Sequence, residues 1–121
     1  MAHHDPQLLK GVLPLVLLRL LWQREDYGYA VLVRLHDAGF AGLAEGTVYP
    51  ALTRLEKRGL IVSRLVKSTS GPARKYYRLS PAGTAELQRA TAAWNELVTT
   101  VNGALTAEEQ TDQPMPEEAT S

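Results

Sequence analysis

Apolar residues return every three or four positions through Leu8, Leu9, Val12, Leu13, Val16, Leu20 and Leu21, a spacing that predicts a first helix over residues 7–23. Asp5 and Pro6, just before it, pair an N-cap residue with a first-turn proline. Pro14 interrupts the pattern and lacks the amide donor an interior turn needs, so a kink or a restart is expected there. Asp26 is placed to cap a second helix, whose stripe of Val31, Leu32, Leu35 and Ala38 ends at Gly39. A short turn, FAGLAEG, leads to GTVYPALTRLEKRGLI (residues 46–61). There Val48, Ala51, Leu52 and Leu55 fall on one side and Thr47, Tyr49, Thr53, Arg54, Lys57 and Arg58 on the other, with Pro50 expected in the first turn and Gly59 at the stop.

Beyond this third helix the period changes. Leu60 to Lys67 is β-branched and apolar, STSGPA breaks the run, and RKYYRL resumes it, which predicts a two-stranded hairpin with a basic tip. On its second strand Tyr76 and Tyr77 must face opposite ways. Ser80 and Pro81 repeat the cap-then-proline signature and open a last helix, where Leu87, Trp94 and Val101 recur every seven residues with Ala90, Leu97 and Val98 between them. A seven-residue apolar repeat on a helix that follows a compact domain points to a helix–helix interface. From Thr106 the chain is polar, acidic and proline-bearing, so disorder is expected. The expected organisation is a winged-helix domain over residues 1–80, a dimerisation helix over 81–105 and an acidic tail over 106–121. The fold class is mostly α with a small β-hairpin: a winged helix-turn-helix plus a C-terminal helix.

Charge sharpens this picture. The 121 residues sum to zero net charge, yet residues 54–78 hold eight bases against the single acid Glu56, a local charge of +7, while residues 104–121 hold five acids and no base. Such asymmetry in a small chain points the basic part toward an anionic partner. In a winged helix-turn-helix the third helix enters the DNA major groove and the hairpin lies along the adjacent backbone. A helix doing this must bury one side and offer hydroxyl, aromatic and cationic groups on the other, because base edges need fixed donors and phosphates need positive charge. Thr47, Tyr49, Thr53 and Lys57 are the candidate readers. Ser70, Gly71, Arg74 and Lys75 belong to the wing, and Lys10 is a further phosphate candidate. Each has a plainer reading: a solvated cationic face, Tyr49 packed on the turn before its helix, Gly71 and Pro72 shaping a turn.

Other chemistry is poorly supported. Absence of cysteine excludes disulfides, thiolate nucleophiles and cysteine-ligated metals, and fits a reducing cytoplasm. His3, His4 and Asp5 are adjacent at a terminus and do not form a closed ligand set, and His36 reads as a surface residue. No metal or cofactor is expected. The apolar stretch between Lys10 and Arg19 is far shorter than a membrane span, and the N-terminal flank lacks a signal-peptide pattern. No nucleophile–base set, carboxylate pair or phosphate loop marks an enzyme. A winged-helix module that docks a protein or senses a ligand without specific DNA binding is the alternative.

LLKG (8–11), YGY (27–29), GTVYPALTRLEKRGLI (46–61), SGPARKYYRLSPAG (70–83) and the Trp94 helix, in this order, resemble the PadR family of transcriptional regulators. GTVYP, then RLE-x-x-GLI, then GP-x-RKYY carries the likeness; YGY alone is weak and reads first as tyrosines packed between the first two helices. The resemblance implies a cytoplasmic, dimeric winged-helix repressor on a double-stranded DNA operator, often released by a small aromatic or drug-like effector. It places Thr47, Tyr49, Thr53 and Lys57 near DNA. Leu87, Trp94, Leu97, Val98 and Val101 would form the dimer interface, with Trp94 also lining an effector cavity between subunits. Pro14, and Leu65 where many relatives carry tryptophan, depart from the family pattern.

Overall fold

The computed structural model describes residues 4–107. In chain order it contains α1 (Pro6–Gln23), β1 (Asp26–Tyr27), α2 (Gly28–Asp37), α3 (Glu45–Lys57), β2 (Ile61–Ser68), β3 (Gly71–Leu79) and α4 (Pro81–Thr106). Contacts divide the chain at Ala90/Thr91 into two compact units, the first of which includes the opening turns of α4. The acidic tail lies outside the described residues from residue 108 onward.

The Asp5 carboxylate caps α1 by accepting from the Gln7 amide at 2.8 Å and the Leu8 amide at 3.4 Å. The restart expected at Pro14 does not occur: α1 is one helix. Leu13 before the proline and Leu17, Leu18, Leu20 and Leu21 after it are all buried, so packing on both sides outweighs a local cost of ~3 kcal/mol. Pro50 is a second interior proline, because α3 starts at Glu45 and so places Pro50 beyond the first turn expected for it. Each proline denies a donor to the carbonyl four residues earlier, on Lys10 and on Gly46. Both of those residues are exposed, so water can reach the carbonyls.

Leu17, Leu18, Val31, Leu35, Val48, Leu52, Leu55 and Ile61 are fully buried and join α1, α2, α3 and β2 into one core. Asp26 does not cap α2. It lies in β1, paired with Tyr77 of β3, and its carboxylate accepts from Arg34 at 3.2 Å and from Arg24 at 3.4 Å. Arg34 also donates at 2.7 Å to the Leu20 carbonyl, so one guanidinium ties the end of α1 to β1 and α2. His36 is likewise more than a surface residue: half-buried, its Nε2 lies 2.6 Å from the Leu43 carbonyl and holds the α2–α3 turn.

The sheet is antiparallel in the order β1-β3-β2. β2 and β3 meet across a two-residue turn, tighter than the six-residue break expected, and Pro72 falls at the irregular step between the Ser68↔Gly71 and Val66↔Arg74 pairs, where its missing donor costs little. Gly59, at φ 76°, ends α3 in the left-handed conformation that a side chain disfavours. Ser80 then anchors α4: its hydroxyl donates to the Gly59 carbonyl at 2.6 Å and accepts from the Gly83 amide at 3.0 Å. At Gly83 the helix passes so close to the residue before β2 that a Cβ there would overlap the Leu60 carbonyl oxygen.

Candidate nucleic-acid interface

α3 turns Val48, Ala51, Leu52 and Leu55 into the core and leaves Thr47, Thr53, Arg54, Lys57 and Arg58 exposed. The Thr53 hydroxyl donates to the Tyr49 carbonyl at 3.2 Å, which leaves its oxygen free to accept. Tyr49 is not a fully outward side chain. It is half-buried, with its ring against Gly28 at the start of α2, where an added Cβ would sit 3.4 Å from Cε1. Burial raises its hydroxyl above the ordinary tyrosine pKa. The ring packs on Gly28 of α2 and not on the turn before α3, the packing partner the sequence suggests.

Tyr27 of the YGY motif does not pack between α1 and α2. In β1 it lies opposite Tyr76, with ring centroids 5.4 Å apart, and the Arg74 guanidinium lies over its ring, 4.4 Å from the centroid. Tyr29 is exposed. Arg74 is therefore held in place by an aromatic face while keeping its charge unpaired. Ser70 and Gly71 are exposed at the wing turn.

The basic run is partly neutralised from within. Arg64 makes a bidentate pair with Glu25, both contacts at 2.8 Å, and its guanidinium holds the Glu25 carboxyl below the usual carboxylate range. Glu56 accepts from the Ser63 hydroxyl at 2.6 Å and pairs with Lys75 Nζ at 3.1 Å. The Ser63 bond first, then Lys75, lowers the Glu56 pKa, and the same pair raises that of Lys75. Lys75, a sequence candidate for phosphate, is thus already engaged. Arg54, Lys57, Arg58, Lys67, Arg74 and Arg78 have no salt bridge among the described residues. Glu25 and Glu56 were missed as partners because the pairing depends on folding: Arg64 lies 39 positions from Glu25.

In the second unit, Trp94, Leu97 and Val101 are exposed along α4 with Leu105, and Val98 is half-buried. Leu87, expected on the same stripe, is buried in the core of the first unit and is not part of that free face. Sequence reasoning also missed a face of α1: Leu8 and Trp22 are 74% and 51% exposed, with half-buried Val12 and Leu15 between them at spacings of four and three. That spacing was visible, but it was merged with the core stripe of the same helix.

Among the described residues no cluster of three metal-ligating side chains occurs, and no helix is long and apolar enough to cross a membrane. Residues 17–89 match the family model described as Transcriptional regulator PadR-like family. Transcriptional regulator Rv3488 of Mycobacterium tuberculosis is 44% identical over 61 residues, 50% of this chain and 56% of that protein. The crystal structure of a PadR-like transcriptional regulator from Bacillus cereus superposes with a TM-score of 0.73 at 40% identity, covering 82% of this chain and 96% of its own. A Streptococcus transcriptional regulator gives a TM-score of 0.74 at 38% identity, covering 83% and 98%. The helical order, the wing and a match over more than half its length place this protein: the chain belongs to the PadR-like family of transcriptional regulators.

Proposed function

We propose that the protein is a dimeric, sequence-specific DNA-binding repressor. The observation that carries this reading is the α3 surface of Thr47, Thr53, Arg54 and Lys57, exposed beside an unpaired Arg74 that Tyr27 holds on the wing. α3 enters the major groove, with Thr47 and Thr53 at base edges and Tyr49 positioned behind them by Gly28. Arg74, Lys57, Lys10 and the wing turn at Ser70 and Gly71 meet phosphates. Lys75 joins them only if it leaves Glu56.

Dimerisation uses Trp94, Leu97, Val98 and Val101 of α4 together with the Leu8–Trp22 face of α1, apolar surfaces of the kind that mark an interface. The twofold then presents two α3 helices to half-sites about one helical turn, roughly 34 Å, apart. A small hydrophobic or aromatic effector that seats against Trp94 between subunits releases the operator.

Binding to duplex DNA followed by anisotropy over a salt series tests the reading. With about eight phosphates neutralised per dimer, log affinity should fall against log salt with a slope of about −7. Arg74→Ala should weaken all sequences alike, whereas Thr47→Ala should also reduce discrimination between sites. A salt-insensitive affinity, or a wild-type protein that sediments as a monomer, rules it out.

A further inference from the structure

A groove borders the DNA-reading face. It runs between the N-terminal half of α1 and the first turns of α3, above the turn that joins α2 to α3, and encloses about 580 Å³. That volume lies in the range of small-molecule sites. Its floor is hydrocarbon, from Leu9, Leu13, Phe40, Leu43 and Pro50, and among the described residues no carboxylate lines it. Lys10 from α1 and Arg54 from α3 stand at its edges. Neither is in a salt bridge among the described residues. His4 closes one end, with Nε2 3.2 Å from the Gly39 carbonyl and its ring 5.7 Å from that of Phe40.

An apolar floor between two unpaired cations selects its occupant. Duplex DNA would satisfy Lys10 and Arg54 but leave the hydrocarbon wet. A neutral apolar molecule would fill the floor and leave both charges as they are. A second copy of the chain is better served by the Leu8–Trp22 face, which lies on the other side of α1 at 3.6 residues per turn. We infer that this groove binds a small amphipathic anion, its hydrocarbon body among Leu9, Leu13, Phe40 and Leu43 and its single carboxylate, sulfonate or phosphate between Lys10 and Arg54. All the residues that line it belong to the first unit, and Trp94 is not among them. Because Arg54 and Thr47 line the groove and also stand on the free side of α3, an occupied groove withdraws them from DNA, so anion and operator exclude one another. This last step rests on the DNA reading proposed above; the site itself does not.

The full chain titrated with 1-anilinonaphthalene-8-sulfonate, an amphipathic anion that fluoresces on leaving water, tests the site. Binding should weaken about tenfold or more in Lys10→Glu/Arg54→Glu, because two attractions become repulsions. The neutral analogue N-phenyl-1-naphthylamine should bind wild type and variant alike, which also shows that the variant is folded. Trp94→Ala should leave sulfonate binding in place. Lys10→Gln, a milder change at an exposed position, should shift affinity in the same direction. Sulfonate binding that survives the charge reversal, or that disappears in Trp94→Ala instead, overturns the site. Adding duplex to the probe complex should quench its fluorescence; probe that stays bound while anisotropy reports bound DNA overturns the exclusion. If wild type without probe binds no duplex, the DNA reading fails, while the groove is still judged by fluorescence alone.

Discussion

Glu56 is the only acid among the eight bases of residues 54–78, and its carboxylate holds Lys75 at 3.1 Å. Glu56→Gln should therefore strengthen DNA binding. The glutamine keeps the size of the side chain and an oxygen to accept the Ser63 hydroxyl, but it releases the ammonium. The pair is substantially solvated, with side-chain exposures of 48% and 31%, so losing it costs about 0–1 kcal/mol of stability. Its effect on DNA is larger. Each added phosphate contact contributes about 0.9 to the salt slope, and the twofold of the proposed dimer doubles it, so the slope should steepen from about −7 to about −9. At about 0.1 M salt the affinity should rise roughly 10- to 60-fold by the same relation. Anisotropy on one labelled duplex over a salt series measures both quantities. Lys75→Ala alone should change little, because its charge is already matched, and the double variant Glu56→Gln/Lys75→Ala should lose the gain. An unaltered slope in Glu56→Gln would refute the idea that Glu56 withholds Lys75 from phosphate.

Three further outcomes follow from the packing. Gly83→Ala drives a methyl into the Leu60 carbonyl and should cost about 1–3 kcal/mol, lowering the melting temperature by roughly 5–20 °C in a calorimetric scan. Arg34→Ala leaves Asp26 buried without its better-placed cation and the Leu20 carbonyl without its donor, and should cost about 3 kcal/mol in urea unfolding. The carboxyls of Glu25 and Glu56 have folded pKa values depressed below 4.5, so the stability they contribute is complete above that value and is lost as pH falls through the depressed values. Melting temperature should accordingly drop on acidification below about pH 4.5, less steeply in Glu25→Gln than in wild type.

How much of this was legible in the sequence depends on how far apart the interacting residues are. Elements whose evidence is local came through: the buried face of α3, the Ser80 cap and the hairpin each show within a few positions. Asp26 did not, because an acid before an apolar helical run has the signature of a cap, and only the arrival of β3 and of Arg34 eight residues on makes it a strand residue in an ion pair. Tyr49 is similar: its place in the α3 pattern is outward, but the missing side chain at Gly28 opens a seat that draws the ring half inward. Pro14 shows the same competition with the sign reversed: a local interruption signal is overridden by core residues on both sides.

The first helix carries this argument furthest. Its residues are apolar nearly all the way round, a pattern expected of a helix buried on every side. Within one protomer that expectation fails. Leu13, Leu17, Leu18, Leu20 and Leu21 fill the core, while Leu8 and Trp22 on another face remain in water. An exposed leucine and tryptophan on one helix face suit a second apolar surface, and Trp94, Leu97 and Val101 of α4 are exposed as well. If the protein is the dimer proposed above and the two cover one another between subunits, Trp22→Glu should dissociate it about as effectively as Trp94→Glu while leaving the helical circular dichroism intact. A Trp22→Glu protein that stays dimeric in sedimentation would separate α1 from the interface and leave its outer face unexplained.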